Sequence, residues 1–413
     1  MKEYITKGRK RQMKDRTILH SDVNNFFASV ECSTNPKLFG KPVAVTGNPE
    51  KRTGIILAKN EIAKAQGVKT GEAIWQAKQK CPTLVTVGPH YALYEKISKK
   101  LHELYLEYTD FVEPLGLDEC WLDVTSSLKY LNKNGQQIAD EIRERVKKEF
   151  GFTVSVGVSF SKIFAKLGSD MKKPDATTII DSEHFKEITY PLPLNSVVGF
   201  GNKLTTKFEK MNILTIGDFV ALKEQFVKDI MGKTGVELHQ KLSGELIDPV
   251  TCYYEISPPK SVGNGTTTIQ DIEKREDVKK VVTFLSEKVG SRLINGNLHG
   301  STVTVTLKTN EFEKFRHSKT IAPIQSGEEI SEQAMNLIDE FWKYDKKLRA
   351  IRVRMSNLTK VDKMEQLSFF GKETKDLGKT INEINQKYGK NKIYVASDTV
   401  SFINRKNEDE GFF

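Results

Sequence analysis

The sequence has few cysteines and no long hydrophobic run. Its four cysteines, Cys32, Cys81, Cys120 and Cys252, form no C-x-x-C pair, which argues against a zinc ribbon or a redox dithiol. Isolated thiols are typical of a reducing compartment. No stretch is long and apolar enough to span a bilayer, and the Lys- and Arg-rich start lacks the apolar segment of a secretory signal. We therefore expect a cytoplasmic protein that does not bind a membrane.

Internal repeats and low-complexity runs are also missing, and the composition is that of a soluble globular protein. A chain of 413 residues is long enough for about two to four domains. The formal net charge of +10 points to a polyanionic partner, of which nucleic acid is the first candidate. A lysine-rich solvated surface would give the same charge, so charge alone does not decide between the two.

The first half of the chain alternates between strand and helix patterns. A strand over 17–23 leads into a helix after the Asn24-Asn25 pair, which can act as an N-cap. From Tyr91 to Tyr108, apolar residues recur at spacings of three and four and mark one helix face. A hairpin over 111–124, a second helix over 138–150 and a strand over 153–159 follow. Strand, helix, hairpin, helix and strand in this order predict a ferredoxin-like α+β sheet.

Three acidic residues fall at neighbouring positions of this predicted sheet. Asp22 ends the first strand, and Asp118 and Glu119 lie at the tip of the hairpin. Since these strands are neighbours in a ferredoxin-like sheet, the three carboxylates could converge at one edge. Two Mg²⁺ ions would relieve their repulsion and could catalyse an in-line phosphoryl displacement. The alternative is that Asp22 is a cap or turn residue and that the acidic pair is merely solvated.

Several motifs together resemble the Y-family, translesion DNA polymerases. They are the stretches 21–31 (SDVNNFFASVE), 40–45 (GKPVAV), 116–123 (GLDECWLD), 155–159 (SVGVS) and 162–170 (KIFAKLGSD), in the family's order and at compatible spacing. The resemblance implies a multidomain α+β protein with a ferredoxin-like palm, small fingers, a helical thumb with a helix-hairpin-helix, and an α/β little-finger domain. It also implies template-directed DNA synthesis of low fidelity, acting in translesion synthesis and DNA damage tolerance.

The resemblance and the composition together divide the chain, with Pro258 and Pro259 marking a linker. The expected parts are a basic N-terminal extension over 1–16, palm and fingers over 17–185 with the fingers at about 26–84, a thumb over 186–250, a linker over 251–260, a little finger over 261–358 and a tail over 359–413.

The resemblance assigns a metal site. Asp22, Asp118 and Glu119 match the family's metal-binding acids, and Val23 would supply a main-chain carbonyl to one of two Mg²⁺ ions. No separate acidic cluster suggests a proofreading exonuclease, which is in keeping with modest fidelity.

The candidate nucleotide contacts are aromatic and basic. Phe27 matches the steric gate, which stacks on the sugar and excludes a 2′-OH, and Phe26 is a second candidate for which core packing is the favoured alternative. Lys166 matches a lysine that contacts the triphosphate. Glu61 and Lys64 stand where many members carry Tyr and Arg, so we expect Lys64 to act as a point charge and Glu61 to turn away or pair with a lysine. This departure resembles the branch of the bacterial polymerase V catalytic subunit and its phage and plasmid relatives, with a polymerase IV-like protein as the second choice.

Candidate DNA contacts lie in the second half of the chain. The stretch 198–201 (VGFG) resembles the hairpin of a helix-hairpin-helix, whose glycines let the backbone approach a phosphate. A solvated basic face is the alternative for each basic residue near the alternating strands. The candidates are Gly199, Gly201, Lys203, Lys260, Arg352 and Arg354.

The polar tail contains one apolar island, 366–370 (QLSFF), which resembles the pentapeptide that docks bacterial polymerases on the sliding clamp. Its candidate contacts are Gln366, Leu367, Phe369 and Phe370, although they could instead fold back on the protein. The expected partners are primer–template DNA, deoxynucleoside triphosphates and the bacterial sliding clamp. We expect a monomer that associates with the nucleoid when it is engaged.

Two alternatives stay open. The first is a catalytically silent or accessory-dependent DNA-binding relative of the same fold, and the presence of all three acids argues against its silence. The second is a nucleotide cyclase on a ferredoxin-like palm, which would also use two metals and a triphosphate. A cyclase has no need of a thumb hairpin or a basic DNA-binding region, so these features favour the polymerase.

Overall fold

The computed structural model describes residues 16–48, 54–255 and 257–361. They form two compact units: the first comprises the described residues up to 45 and from 56 to 255, and the second comprises those from 257 onward together with the described residues of the segment 46–55. Within these residues, no helix has both the length and the apolar character needed to cross a membrane.

Short strands and helices alternate before residue 256. The strands are β1 (Ile18–Val23), β2 (Val43–Thr46), β3 (Ile56–Lys59), β4 (Val85–Val87), β5 (Val112–Leu115), β6 (Glu119–Asp123), β7 (Val154–Ser159) and β8 (Thr177–Ile180). The helices are α1 (Phe26–Thr34), α2 (Glu61–Ala65), α3 (Ile74–Lys80), α4 (Tyr91–Leu106), α5 (Leu128–Leu131), α6 (Gly135–Phe150), α7 (Lys162–Met171), α8 (Phe185–Thr189), α9 (Asn202–Glu209), α10 (Ile216–Val220) and α11 (Glu224–Leu242).

The larger sheet of this unit has the order β5-β6-β1-β7-β8, with β1 antiparallel to both neighbours. The succession β7-β1-β6-β5 is that of a ferredoxin-like sheet, and β8 adds a parallel strand beside β7. Every residue of β1 and β7 is buried, because helices pack on both faces. The predicted α+β class and ferredoxin-like sheet are confirmed.

The start of α1 differs from the expected Asn cap. Asn25 precedes the helix in the left-handed conformation, with φ of 55°, and its side chain makes no capping hydrogen bond. Asn tolerates this conformation better than most residues. Its side-chain amide instead donates to Oε1 of Glu61 at 2.7 Å and so ties α1 to α2.

A smaller sheet of order β3-β2-β4 lies in the region predicted as fingers. Its core with α2 and α3 is small and consists of Ala44, Ile56, Ala63, Val68, Ala77, Cys81 and Leu84, with Ile74 packed against it. After β8 the chain is helical. Phe200, Phe208 and Phe219 meet edge to face in the core of this helical region. The last helix, α11, is interrupted at Gly232, whose φ is 69°.

The second unit is a four-stranded antiparallel sheet with two helices. Its elements are β9 (Ser261–Ile272), α12 (Arg275–Asn295), β10 (Leu298–Thr309), β11 (Lys314–Ile324), α13 (Gly327–Phe341) and β12 (Leu348–Lys360). The strand order is β11-β10-β12-β9. Alternate apolar residues of β10 and β12 pack against both helices, so the intervening residues lie on the opposite face of the sheet, which these two helices leave uncovered.

Candidate active site

Two of the predicted acids face each other across neighbouring strands. In the register of β1 and β6, Asp22 lies directly opposite Glu119. Asp118 precedes β6 in the tight turn after β5, and its carbonyl accepts a hydrogen bond from the N–H of Val23 at 3.0 Å. The antiparallel register therefore holds the hairpin tip against the end of β1.

Two lysines neutralise these carboxylates. Nζ of Lys166 lies 3.0 Å from Oδ2 of Asp22 and 2.8 Å from Oε2 of Glu119. Nζ of Lys173 lies 2.9 Å from the same Asp22 oxygen, and both lysines also pair with Asp170, at 3.3 and 2.8 Å. Burial acts to lower the pKa of each lysine, but the acids outweigh it and raise both values. Two positive charges are therefore fixed beside the carboxylates.

His20 belongs to this cluster, although the motifs did not single it out. Its buried ring has Nδ1 at 2.8 Å from Oγ of Ser169 and Nε2 at 3.3 Å from Oε2 of Glu119. Burial lowers the pKa of His20 in spite of the nearby acids. His20 lies two residues before Asp22 in β1, and this spacing puts both side chains on one face of the strand. That spacing is the sequence signal that could have revealed it.

The pKa values of the two acids at the hairpin tip, Asp118 and Glu119, are shifted in opposite directions. Burial, reinforced by the charges of Asp22 and Glu119, raises the pKa of Asp118 from its ordinary 3.8 to about 6. Burial also acts to raise the pKa of Glu119, but its contacts with His20 and Lys166 outweigh this effect and lower the pKa.

The carboxylates of this cluster suit a hard divalent cation. Ligand atoms of His20, Asp22 and Glu119 lie within 4.8 Å of one another, and the carboxylate of Asp118 lies outside this group. The structure therefore brings two of the three predicted acids together with His20, and holds Asp118 within electrostatic range of them. Mg²⁺ takes oxygen ligands and commonly uses one or two carboxylates with waters and substrate phosphates, so the acids present fit it.

The candidate steric gate lies in an aromatic cluster. Phe27 is partly exposed and stacks on Tyr94, with ring centroids 4.4 Å apart and an interplanar angle of 13°. Tyr91 meets Phe27 edge-on at 5.8 Å. Phe26, by contrast, is 4% exposed and packs in the core of the first unit. Its position does not offer it to a nucleotide, so core packing describes Phe26 and the nucleotide contact expected for it is not supported.

Lys64 forms an ion pair with Glu61 at 3.2 Å, as we expected for the acid at this unusual position. The same oxygen of Glu61 also accepts the hydrogen bond from Asn25. The Lys64 side chain remains 48% exposed, so it can be reached from solvent.

Basic residues line the uncovered face of the second unit. Arg352 and Arg354 of β12 lie opposite Gly265 and Gly263 of β9. A Cβ at Gly263 would lie 2.9 Å from the Cβ of Arg354, and one at Gly265 would lie 3.0 Å from that of Arg352. The two glycines therefore leave the room that the arginine stems occupy. Lys308, Lys314 and Arg316 extend the same face across β10 and β11.

The remaining candidates are less defined. Gly199 has φ of 115° and Gly201 has open space at its Cβ position, just before α9, where Lys203 is exposed. Lys260 is exposed immediately before β9. The candidate clamp contacts Gln366, Leu367, Phe369 and Phe370 lie outside the described residues.

The motifs and the geometry agree with comparisons to known families. Residues 21–170 match the impB/mucB/samB family, and residues 259–369 match the C-terminal domain of that family. The first match contains Asp22, the hairpin tip and Lys166, and the second contains the four-stranded sheet.

Three relatives that match most of the chain are each named as a DNA polymerase IV. A protein of Acetivibrio thermocellus named DNA polymerase IV is 43% identical, over 91% of this chain and 95% of its own length. DNA polymerase IV 2 of Halalkalibacterium halodurans is 35% identical over 96% and 97%, and DNA polymerase IV 1 of Bacillus subtilis is 33% identical over 91% of each. The expected polymerase V branch is not confirmed, whereas the second choice agrees with these names.

Solved structures of Y-family DNA polymerases are also similar to this chain. A Y-family DNA polymerase chimera of Dbh and Dpo4 superimposes with a TM-score of 0.74 at 25% identity, covering 83% of this chain and 99% of the chimera. An insertion ternary complex of Dbh DNA polymerase gives a TM-score of 0.61 at 25% identity, with the same coverage. The chain therefore belongs to the impB/mucB/samB family, that of the Y-family DNA polymerases.

Proposed function

We propose that the protein is a template-directed DNA polymerase of low fidelity that acts in translesion synthesis by two-metal nucleotidyl transfer. The observation that carries this proposal is the register of β1 and β6, which sets Asp22 opposite Glu119 with Asp118 adjacent to it. The names of the relatives, DNA polymerase IV, support the same activity. The assignment of the sheet elements to palm, fingers and little finger, with the boundaries given above, is part of this proposal.

The proposed cofactor is Mg²⁺, with two ions per active site. Asp22, Asp118, Glu119 and the carbonyl of Val23 would hold them, and once bound they would stabilise the attacking and leaving oxygens of the phosphoryl transfer. Asp118 would act as a ligand in its ionised form, and a pKa raised to about 6 leaves it mostly ionised at neutral pH. Lys166 and Lys173, which pair with Asp22, are proposed to turn toward the phosphates of an incoming nucleotide.

Phe27 is the proposed steric gate, since a flat ring without a polar handle can stack on the sugar and leave no room for a 2′-OH. Lys64 is proposed as an additional phosphate contact, which its exposure permits. DNA would bind along the uncovered sheet face of the second unit through Arg352 and Arg354, and beside Gly199, Gly201 and Lys203 in the helical region. Lys260 is proposed to contact the DNA backbone as well.

Docking on the bacterial sliding clamp through Gln366, Leu367, Phe369 and Phe370 remains a proposal based on sequence, as do the monomeric state and the cytoplasmic, nucleoid-associated location.

Primer extension tests the proposed function. The parent protein with Mg²⁺ should extend a primer on an undamaged template, and the variant Asp118→Ala, Glu119→Ala should lose extension while it keeps DNA affinity. A reaction without primer and template should consume no nucleotide, whereas consumption there would indicate a cyclase. No extension by the parent with intact DNA binding would contradict a self-sufficient polymerase and favour a form that needs accessory subunits, or a binding-only relative.

A further inference from the structure

Glu31 is a buried acid that the proposed mechanism does not use. It lies on α1, four residues after Phe27, and is 5% exposed. Its Oε1 accepts a hydrogen bond from Oη of Tyr94 at 2.5 Å and lies 2.8 Å from Nδ1 of His90. A buried carboxylate is costly unless it is paired, so these two contacts account for its presence and tie α1 to the start of α4.

The hydroxyl of Tyr94 acts as the donor in this pair. Tyr94 is fully buried, and burial together with Glu31 raises the pKa of Tyr94, so that the phenol keeps its proton. A ring that is packed on all sides and fixed at its hydroxyl has one orientation. Tyr91 closes the cluster, with its ring edge-on to Tyr94 at 5.9 Å.

The ring that Tyr94 supports is that of Phe27. The two rings are nearly parallel, at 13°, and their centroids are 4.4 Å apart. Phe27 is partly exposed, so its orientation depends on the buried ring behind it. A group that discriminates between substrates by shape needs positional precision of about 0.5 Å, which packing and hydrogen bonds behind it supply.

We propose that Glu31 is a positioning residue that fixes the ring of Phe27 through Tyr94, and thereby sets how strictly the polymerase rejects ribonucleotides. The proposal rests on the proposed function, in which Phe27 is the steric gate. Without the acceptor, the ring of Tyr94 can tilt and Phe27 gains freedom to move away from the 2′ position. Glu31 itself need not touch the nucleotide.

The test is the ratio of kcat/KM for a deoxynucleotide to that for the matching ribonucleotide, measured by single incorporation with the full chain. Glu31→Leu and Tyr94→Phe should each lower this ratio by about tenfold, the equivalent of 1.4 kcal/mol. Combining them should lower it little further, since both variants remove the same hydrogen bond between Tyr94 and Glu31. Glu31→Gln keeps an acceptor oxygen and should retain the parent ratio within about twofold.

Glu141→Leu is the matched control, because Glu141 accepts a hydrogen bond from Tyr108 at 3.1 Å in a separate tyrosine–glutamate pair. It should leave the ratio unchanged. A purely structural role for Glu31 would lower both incorporations together and leave the ratio at the parent value, and this result would overturn the inference. Tyr94→Phe keeps the packed ring, so it decides the matter even if Glu31→Leu does not fold.

Phe27→Val separates this inference from the proposed gate. If Phe27→Val loses discrimination while Glu31→Leu and Tyr94→Phe keep it, the gate stands and the positioning role is wrong. If Phe27→Val also keeps the parent ratio, the assignment of Phe27 as the gate fails, and the inference built on it fails as well.

Discussion

At the scale of single residues, the site is a balance of opposite charges. Lys166 and Lys173 offset Asp22 and Glu119, whereas Asp118 is held near both acids with its pKa raised to about 6. A bound divalent cation would add positive charge beside Asp118. The energetic consequence is that Asp118 costs stability in the metal-free protein once it is ionised.

The pH dependence of stability follows from this shift. The folded pKa of about 6 lies above the ordinary 3.8, so the contribution of Asp118 to stability is present below about pH 4 and is lost as the pH rises through 6. In Asp118→Asn this loss is absent. In EDTA, the free energy of unfolding of the variant relative to the parent should therefore rise between pH 4 and pH 7, by no more than about 3 kcal/mol and by less after solvent screening.

Denaturant unfolding at the two pH values measures this difference. Added Mg²⁺ should then stabilise the parent more than Asp118→Asn, because metal binding to the folded state is linked to its stability. A difference that does not change with pH would show that Asp118 is not in the electrostatic environment described.

Lys173, which the motifs did not predict, had a weaker signal in the sequence. Lys166, Asp170 and Lys173 follow one another at spacings of four and three, which places them on one side of α7 and its end. Lys166 and Asp170 stand within the motif 162–170, whereas Lys173 lies beyond it and was not expected. Which partner each lysine takes depends on the sheet register, which no local pattern reveals.

At the scale of elements, the site depends on how closely α7 approaches β7. Gly157 of β7 faces the helix, and a Cβ there would lie 1.9 Å from the carbonyl oxygen of Ala165. Since Lys166 follows Ala165, the distance between this helix and the sheet determines where the lysine meets Asp22. The lack of a side chain at Gly157 therefore allows the close approach that places Lys166 beside Asp22.

Gly157→Ala should displace α7 and weaken both stability and activity. We expect a loss of about 3 kcal/mol or more in the free energy of unfolding, because backbone atoms cannot move aside as a flexible side chain does. Gly88→Ala is the matched control, since no atom lies within 4 Å of the added Cβ and its φ is not positive. Urea unfolding measures the stability of each variant, and primer extension measures its activity. Equal stability and activity of Gly157→Ala and Gly88→Ala would contradict the packing described.

Most elements of the fold were predictable, because their apolar periodicities are clear and the hairpin carries its acids at a recognisable tip. The cap of α1 was not, since the pattern Asn24-Asn25 is compatible with capping and only the position of Glu61 shows that Asn25 binds elsewhere. Phe26 and Phe27 are identical in type, and only the direction of α1 decides that one is core and the other partly exposed.

At the scale of the whole molecule, the charge of +10 predicted a polyanionic partner but not its location. The structure places arginines and lysines on the uncovered face of the second unit, where they alternate with small residues. Strand alternation alone could predict this polar face, but the strand order that joins its rows could not be predicted from local sequence.

Removal of the two arginines should make DNA binding less dependent on salt. For Arg352→Ala, Arg354→Ala we expect the slope of log K against log salt to fall in magnitude by about 2, since each phosphate contact contributes about 0.9. Lys279→Ala, Lys288→Ala removes the same charge from α12, which packs on the opposite face of the sheet, and should change the slope little. Fluorescence anisotropy across a salt series measures the slope for the parent and for both double variants. A slope for Arg352→Ala, Arg354→Ala equal to that of the parent would show that the sheet face does not contact DNA.

The central claim is that the hairpin tip and the end of β1 form a two-metal site, and counting bound ions tests it most directly. The protein is combined with a dideoxy-terminated primer–template and the matching nucleotide, and Mn²⁺ bound per complex is counted by electron paramagnetic resonance. We expect two ions per parent complex and a loss of at least one in Glu119→Gln. Two ions in both proteins, or none in the parent, would contradict the site described here.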